Sequence, residues 1–575
     1  MLKEPITIDG FQAGIGDPYT GIADMRNIII DEADKSCRIN TKLNSTMDYE
    51  GNDTFTADAS TDIITLSNGR GYFTGKTVKF TSTGSLPGGL TATPARDEPY
   101  YLIPITTNTY KVANTYALAQ AGTPIDLTSA GSGVHTCVPF SPVNMTDIID
   151  VHTGATEYIF GKDAQYNNIW QYNGNAWVMP WGITTFNTGA SKGLAYWKDH
   201  LLVFRNNSIN YLKVSTQTFI SNWSPTAIGS IVSTDNHYAM VGQDDTVYFA
   251  NGSYVGSLRV KPGQTFDPTN AATYTLNYNA LDIPSDESIT YISEFGTNLL
   301  IGTNINKVYV WDRRSPSFNY PIFLPERNVQ AMAVANNIAY IFCGNTGSFY
   351  ATNGATTRLV KKIPDSITGV ISSGNGAGFG DVAVLKNKIF FGISGLIMSY
   401  NIDTGVLIVE NEYSNFVTGA TTVQSIVPYH DNYFIASIYK ASGSLTYILT
   451  EQSTGNQNQS VNSELNPYSN YEAYLITPFI KLGNPQEKIE ISAFDIQMAK
   501  NLISGEAVRI SYRENSNDSF TVIGTFDYAN YGGVNNTTIK YAIPTNFIQL
   551  KIELDGPQYS GVTFASPILR SVTIR

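Results

Sequence analysis

The feature that most constrains the fold of this chain is a sequence unit that recurs seven times in its middle part. Each copy has an apolar segment, a polar turn and an aromatic-rich segment. The copies occupy residues 156–177, 199–214, 244–260, 297–312, 336–353, 386–401 and 431–449. Their first residues lie 39 to 53 positions apart, a spacing typical of the four-stranded blade of a β-propeller, which is roughly 40 to 50 residues long.

A propeller explains why the units must associate. A blade with two apolar faces cannot bury both by itself, whereas blades stacked around an axis bury these faces against each other. The predicted inner strands are the apolar segments YIF, LLVF, LLIG, AYIF, IFFG and YFIA. No amphipathic helical pattern separates the units, which disfavours a TIM barrel. We therefore predict an all-β chain with a β-propeller of about seven blades.

Shorter β-modules flank the predicted propeller. Five strand-like segments alternate with Gly- and Pro-rich turns, at residues 62–66, 77–80, 100–105, 110–113 and 124–128. They predict an inserted small β-sandwich or barrel module. Near the C-terminus apolar and polar residues alternate, as at Ile548, Leu550, Ile552 and Leu554. Period-two alternation buries one face of a strand and predicts a C-terminal β-sandwich.

These segments predict a domain organisation. It comprises an N-terminal strand segment (1–48), the inserted module (49–138), the propeller (139–455), a polar linker (456–470) and the sandwich (471–575). Within the first segment, short strands are predicted around Ile28–Ile30 and Arg38–Ile39. A lone hairpin of this size is marginal in water, so we expect the segment either to close the propeller or to dock on a neighbouring subunit.

Composition restricts the functions that are open to the chain. The formal net charge of −12 is spread without an acidic tail, which argues against a basic surface that reads nucleic acid but suits a passage through which DNA slides. Cys37, Cys137 and Cys343 are far apart and lack a CxxC motif, so neither disulfides nor a zinc site is predicted. We find no signal-peptide pattern and no apolar segment near ~18 residues. We expect a soluble protein made in the cytoplasm.

Histidines and glycines do not occur at catalytic spacings. The histidines are His135, His152, His200, His237 and His430, and none forms an HxH or HExxH pair. His200 and His430 each stand beside an aspartate before a predicted core strand, which favours a turn or capping role. The glycine-rich run 374–380 leads into a strand and is predicted to be an inter-blade loop. No GxSxG serine-hydrolase motif is present.

Carboxylates and tryptophans are the remaining candidates. The adjacent pairs Asp31–Glu32, Asp97–Glu98 and Asp244–Asp245 do not suit glycoside hydrolysis, which needs two acids about 5 to 10 Å apart beside the sugar. The run ENSNDS at 514–519 lacks EF-hand spacing and is predicted to be a turn, with bound calcium left open. The tryptophans are predicted to pack within blades rather than stack on sugars; they are Trp170, Trp177, Trp181, Trp197, Trp223 and Trp311. We therefore predict no catalytic, cofactor-binding or metal-ligating residues and no enzymatic activity.

Two resemblances indicate a setting. The runs FTADASTDIITLSNGRGYFTGKTVKFTSTGSLPGGL, EPYYLIPITTNTYKVANTYALA and GTPIDLTSAGSGVHT, within residues 54–136, resemble a module inserted in many phage virion proteins. The remaining architecture resembles the tail hub or nozzle proteins of short-tailed phages, and GFQAGIGDPYTGIADMRNIII is similar to their opening segment. This resemblance implies a hexameric tube below the portal and adaptor rings, and it carries no catalytic motif.

The expected function is that of a structural virion protein. It is a nozzle or hub that forms a homo-oligomeric ring, joins the portal and adaptor to distal tail parts, and conducts DNA without sequence-specific binding. Contacts with tail fibres remain open, and no cofactor or membrane insertion is expected. One alternative is a receptor- or carbohydrate-binding tail adhesin. A depolymerase or glycosidase is a third, weakened by the lack of suitably spaced acid pairs.

Overall fold

The structure, a computed structural model, describes most of the chain. The described residues are 5–8, 24–26, 28–31, 36–39, 44–45, 52–68, 71–92, 99–139, 142, 145–153, 156–163, 168–172, 177–179, 193–204, 209–215, 218–220, 238–363, 378–393, 396–412, 421–429, 433–440, 448–453, 473–482, 488–556 and 567–575. This part of the chain contains 46 strands and two short helices. The predicted all-β class is therefore confirmed. The predicted linker at 456–470 lies outside the described residues.

Five short strands open the chain. They are β1 (Ile6–Ile8), β2 (Asp24–Arg26), β3 (Ile28–Asp31), β4 (Ser36–Ile39) and β5 (Asn44–Ser45). β3 pairs with β4, while β1, β2, β4 and β5 each pair with a strand from the last third of the chain. The opening segment is therefore shared between two bodies that are otherwise formed by later sequence.

The inserted module is a closed six-stranded barrel with the strand order β10-β7-β6-β11-β8-β9. Its elements are β6 (Asp53–Asp58), β7 (Ile63–Leu66), β8 (Thr77–Ser82), β9 (Tyr100–Pro104), β10 (Thr109–Ala113), helix α1 (Tyr116–Gln120) and β11 (His135–Pro139). The strand predicted at 124–128 is absent. There the amide of Leu127 donates to the Asp62 carboxylate at 2.9 Å and the amide of Ile125 to the Val112 carbonyl at 2.7 Å, so these two amides are satisfied without a strand ladder.

Seven four-stranded antiparallel sheets form the propeller, and each is one blade. Blade 1 has β12 (Met145–Thr153), β13 (Thr156–Asp163), β14 (Asn168–Tyr172) and β15 (Trp177–Val178), and blade 2 has β16 (Leu194–Trp197), β17 (His200–Phe204), β18 (Ile209–Lys213) and β19 (Thr218–Ile220). Blade 3 has β20 (Ala239–Val241), β21 (Val247–Asn251), β22 (Tyr254–Val260) and β23 (Tyr274–Asp282), and blade 4 has β24 (Ile289–Phe295), β25 (Asn298–Thr303), β26 (Lys307–Trp311) and β27 (Tyr320–Phe323).

The last three blades follow the same order. Blade 5 has β28 (Val329–Ala335), β29 (Ile338–Cys343), β30 (Ser348–Thr352) and β31 (Thr357–Lys362), and blade 6 has β32 (Phe379–Leu385), β33 (Lys388–Ile393), β34 (Leu396–Asn401) and β35 (Leu407–Glu412). Blade 7 has β36 (Thr421–Tyr429), β37 (Tyr433–Lys440) and β38 (Ile448–Ser453), and its fourth strand is β5 from the N-terminal segment. The predicted count of seven blades is confirmed.

Polar side chains on the first strands tie the ring together. The Asp381 carboxylate of blade 6 accepts hydrogen bonds from the Ser425 hydroxyl at 3.0 Å and the Ile426 amide at 3.1 Å, both in blade 7. The same hydroxyl accepts from the amide of Ile148 in blade 1 at 3.1 Å. The first two bonds therefore join blade 6 to blade 7, and the third joins the last blade to the first.

A contact between an acid and a tyrosine recurs in blades 4 and 5. The Glu287 carboxylate accepts from the Tyr309 hydroxyl at 2.9 Å and from the Lys307 ammonium at 2.8 Å. One blade later, the Glu326 carboxylate accepts from the Tyr350 hydroxyl at 3.1 Å. Each acid precedes the first strand of its blade and each tyrosine lies on the third strand. The recurrence therefore anchors the entry loop of each blade to that blade's own sheet.

The C-terminal body is a β-sandwich of two six-stranded sheets, as predicted. Its later strands are β39 (Tyr474–Ile476), β40 (Ile480–Lys481), β41 (Ile489–Met498), β42 (Ala507–Arg513), β43 (Thr521–Asp527), β44 (Asn536–Thr545), β45 (Phe547–Asp555) and β46 (Ile568–Ile574), with helix α2 (Tyr528–Tyr531). One sheet runs β3-β4-β46-β41-β44 with β1 on β46, and the other runs β2-β39-β45-β42-β43 with β40 on β45. Ile548, Leu550, Ile552 and Leu554 are all buried.

Candidate ligand-binding cleft

The described histidines are dispersed over three strands. His135 lies in the barrel with its ring nitrogens 3.0 Å from the Ser82 hydroxyl and 3.0 Å from the Ala130 carbonyl. His200 begins a blade 2 strand and its Nδ1 donates to the Lys198 carbonyl at 2.6 Å. His152 is exposed on blade 1. His237 and His430 lie outside the described residues. The described part of the chain therefore brings no two histidines together.

His200 leads to a pH-dependence prediction. Burial lowers the pKa of His200, against the opposing hydrogen bond to Lys198. A lowered pKa means that stability is present above the ordinary value near 6.5 and is lost as pH falls through the folded-state pKa, because the unfolded chain binds the proton more readily. We expect His200→Gln to reduce the loss of propeller stability between pH 7.5 and 5.5. Urea unfolding followed by tryptophan fluorescence measures this loss.

The matched control for that prediction is His152→Gln, because the His152 side chain is 66% exposed. The His152→Gln variant should change the pH dependence less than His200→Gln does. Equal pH dependence in the His200→Gln variant and the wild type would contradict the assignment.

The cysteines and tryptophans are buried. Cys37, Cys137 and Cys343 are all buried, and none of them forms a disulfide within the described residues. The described tryptophans are at most 5% exposed; they are Trp170, Trp177, Trp197 and Trp311. Trp181 and Trp223 lie outside the described residues. The described tryptophans thus offer no exposed platform for stacking on a ligand.

The adjacent acids of the blade 3 turn contact opposite neighbours. Asp245 forms an ion pair with Lys198 at 2.5 Å and accepts from the Trp197 indole at 3.0 Å, both in blade 2. Asp244 forms an ion pair with Arg313 of blade 4 at 3.3 Å. The two carboxylates therefore link three blades and do not converge on one point. Asp97 and Glu98, as well as Glu32, lie outside the described residues.

A polar cleft, half open to solvent and about 1060 Å³ in volume, separates the outer parts of blades 3 and 4. On blade 3, the cross-strand pairs Ser257–Asn277 and Arg259–Thr275 line it. The opposite face of β23 carries the buried residues Tyr274, Leu276 and Tyr278, which belong to an apolar cluster with blade 2. Because strand side chains alternate, β23 has a dry face towards blade 2 and a wet face in the cleft.

Arg313 forms the floor of the cleft, with a side chain only 9% exposed. Its guanidinium pairs with Glu294 at 2.6 Å and with Asp244 at 3.3 Å. It also donates to the carbonyls of Gly296 and Asn298, each at 3.3 Å. Its Nε is buried without a hydrogen-bond partner among the described residues. The guanidinium is therefore held rigidly and keeps one unused donor.

Neighbouring groups position this arginine. The Asp312 carboxylate accepts from the Arg314 amide at 2.9 Å and the Ser315 amide at 2.8 Å, which lowers the pKa of Asp312. These bonds fix the turn that carries Arg313, whose backbone φ is +67°. The Tyr248 hydroxyl donates to Asp244 at 2.6 Å. Burial is the main cause that raises the pKa of Tyr248, and the hydrogen bond to Asp244 raises it further. The phenol therefore stays neutral.

Sequence reasoning missed the cleft. The predicted repeat unit 297–312 ends at Trp311 and Asp312, and no role was predicted for the two arginines that follow. Consecutive arginines just after a blade strand, in a chain with only 15% charged residues, are the available signal. The sequence pattern does not show the opposite wall of the cleft, which is formed by β22 and β23.

A second polar group lies on the first hairpin of blade 1. Ligand atoms of Asp150, His152 and Glu157 all lie within 4.8 Å of one another. The His152 ring nitrogen is 2.9 Å from the Asp150 carboxylate, and burial raises the pKa of Asp150. These residue types could hold a divalent cation.

The run at 514–519, in the sandwich, forms the predicted turn, in which the Asn515 side-chain amide donates to the Asp518 carboxylate.

Comparisons with known proteins identify similar architectures but no family. No protein-family model matches the chain, and no curated protein matches it. Similar solved structures include the WD40 propeller domain of Doa1 (10% identity, 54% of this chain and 94% of that chain, TM-score 0.37). Another is the propeller domain of Myceliophteria thermophila Cps50 (10% identity, 54% and 99%, TM-score 0.38). We take no function from these likenesses. No helix in the described part of the chain is long and apolar enough to cross a membrane.

Proposed function

We propose that this protein is a structural component of a phage tail, a nozzle or hub that joins the portal and adaptor to distal tail parts and conducts DNA. The observation that supports an assembly role is the position of exposed apolar side chains. Among the described residues, six of the twelve exposed large apolar side chains lie on the sandwich and three on the barrel. Since contiguous exposed apolar patches mark docking surfaces, the sandwich and the barrel are the bodies proposed to dock on neighbouring subunits.

The sandwich offers a specific edge for this docking. Val522 on β43 is 51% exposed and Val534, just after α2, is 42% exposed. β43 is the last strand of its sheet, so one of its edges has no neighbouring strand within the described part of the chain. Identical subunits that join such an edge to a different surface of the next copy close into a ring. The sequence resemblance of residues 54–136 to a virion module supports the same setting.

Charge supports conduction of DNA. The chain has a formal net charge of −12, and a ring lumen with an acidic surface repels the phosphate backbone instead of binding it. We propose six subunits per ring, following the resemblance to nozzle proteins. The protein acts in the virion after synthesis in the host cytoplasm.

The test combines assembly and location. We expect the purified chain to form rings at high concentration, measured by native mass spectrometry, and a tagged copy to label the tail below the portal in images of intact particles. Val522→Glu with Val534→Glu should weaken ring formation at an unchanged melting temperature. Phe323→Glu, on the outer strand of blade 4 and 63% exposed, is the matched control. A chain that stays monomeric and is absent from particles overturns the proposal.

A carbohydrate-binding tail adhesin is the second candidate. The observation that favours it is the polar cleft, whose wet face is built from hydroxyl, amide and guanidinium groups. Glycan-array binding together with a distal, outward-facing position in the particle would support this candidate. A position inside the tail tube without glycan binding would eliminate it.

A further inference from the structure

We infer that the cleft between blades 3 and 4 binds carboxylated oligosaccharides, glycans that contain uronic-acid-type sugars. This inference deepens the adhesin candidate and is independent of the tail-nozzle proposal. The volume of this half-open cleft, about 1060 Å³, is comparable to the upper end of the roughly 300–1,000 Å³ typical of ligand sites. An extended ligand therefore fits better than a single small ion.

Two arginines at the rim of the cleft favour an anionic ligand. Arg259 and Arg314 are both exposed at its rim and form no ion pair within the described part of the chain. Asp244 and Asp312 also line it, but Asp244 is paired with Arg313, and Asp312 is occupied by the amides of its own turn. The rim therefore offers two guanidinium groups without an ion pair, next to the Asp312 carboxylate, whose oxygens already accept the amides of its own turn. Guanidinium groups match the planar geometry of a carboxylate.

The neutral groups of the cleft select hydroxyls. Thr275, Asn277 and Asn279 occupy alternate positions along β23 and line the cleft together, with Ser257 opposite Asn277. Amide and hydroxyl side chains each donate and accept, as sugar hydroxyls do. A row of such groups next to arginines suits a ligand that alternates hydroxyls with carboxylates, rather than a phosphate alone.

Other anionic polymers fit less well. Nucleic acid that binds as a single strand stacks its bases on exposed aromatic rings. The aromatic residues of the cleft, Tyr248 and Trp311, are only 3% and 2% exposed. Tyr248 is held by Asp244, and the Trp311 indole donates to the Ser315 carbonyl at 2.8 Å. The cleft thus has polar donors and acceptors without a stacking platform.

Arg313, at the floor of the cleft, is held in place before any ligand binds. Arg313 is already held by two carboxylates and two carbonyls, so ligand binding does not have to order it. We assign charge recognition to Arg259 and Arg314, hydroxyl recognition to Asn277 and Asn279, and a positioning role to Arg313.

Titration calorimetry of the full-length protein tests this inference. The probes are tetragalacturonate, tetraguluronate and, as the neutral comparison, maltotetraose. We expect at least one acidic tetrasaccharide to bind about tenfold or more tightly than maltotetraose, and binding to weaken with salt. Arg259→Ala with Arg314→Ala should lower that affinity by about tenfold or more, equivalent to about 1.4 kcal/mol.

Two further variants make the result specific. Arg327→Ala with Arg358→Ala removes the same charge from exposed positions outside the cleft and should leave binding unchanged. Asn277→Ala with Asn279→Ala keeps the charge and should still weaken binding of the acidic tetrasaccharide. If neither acidic probe binds more tightly than maltotetraose, or if both arginine double variants behave alike, the inference is wrong. Ring formation tests the nozzle proposal separately.

Discussion

Deletion of residues 1–45 is expected to abolish the native fold of both the propeller and the sandwich. The deletion removes β5, which pairs with β38 as the outer strand of blade 7. It also removes β1 and β4, which pair with β46, and β2, which pairs with β39. Each loss exposes a row of unpaired backbone groups on a strand edge, and such edges promote aggregation.

The effect on the sandwich should be the larger one. Cys37, on β4, is fully buried and belongs to the main apolar cluster, which extends from blades 4, 5 and 6 into the sandwich. Contacts of β2 and β3 with β35 connect this segment to blade 6 as well. We therefore expect a truncated chain that aggregates or shows no cooperative melting transition, measured by size-exclusion chromatography and calorimetry.

A peptide supplied in trans distinguishes lost pairing from a lost chain terminus. Peptide 1–45 added during refolding should restore part of the soluble, cooperatively melting species, whereas a scrambled peptide of the same composition should not. A truncated chain that is soluble and melts at the wild-type temperature would show that these strand pairings are dispensable.

Lys307→Met is expected to lower the free energy of unfolding of the propeller by about 3 to 5 kcal/mol, the typical cost of leaving a buried charge without its partner. Lys307 pairs at 2.8 Å with Glu287, whose side chain is 1% exposed. After the substitution, the Tyr309 hydroxyl is the donor that remains to the Glu287 carboxylate among the described residues. One of the Glu287 oxygens is already buried without a hydrogen-bond partner.

The pH range for this measurement follows from the ion pair. The hydrogen bond to Glu287 is the main cause that raises the pKa of Lys307. A raised lysine pKa stabilises the fold fully below the ordinary value near 10.4 and loses this contribution only as pH rises through the folded-state pKa. At neutral pH the whole effect is present, and hydrogen exchange in blade 4 reports it locally.

A double variant and a surface control test the cause. Glu287→Gln combined with Lys307→Met removes both charges but keeps an acceptor for Tyr309, so it should recover most of the lost stability. Lys198→Met breaks the pair with Asp245, whose side chains are 42% and 56% exposed. It should change stability by no more than about 1 kcal/mol, as is typical of exposed pairs. Equal losses for Lys198→Met and Lys307→Met would contradict the argument.

Local patterns carried most of the fold prediction. The alternation at Ile548 to Leu554 predicted a half-buried strand, and the recurring apolar segments predicted the blades, because side-chain period and burial are written in neighbouring residues. The strand predicted at 124–128 failed for the opposite reason. Its apolar residue Leu127 is buried, yet its amide is satisfied by Asp62, and a distant side-chain acceptor leaves no local signature.

By itself, the sequence determined the all-β class, the seven-blade propeller and the two flanking β-bodies, since each follows from periodicity within about fifty residues. Only the tertiary structure decided that Asn44 and Ser45 complete blade 7 and that β1, β2 and β4 enter the sandwich. It also brought Arg259 and Asn277 to face Arg313. Such pairings join residues that are far apart in the chain, and hydrogen-bond partners and cleft walls depend on which surfaces meet, which no local pattern encodes.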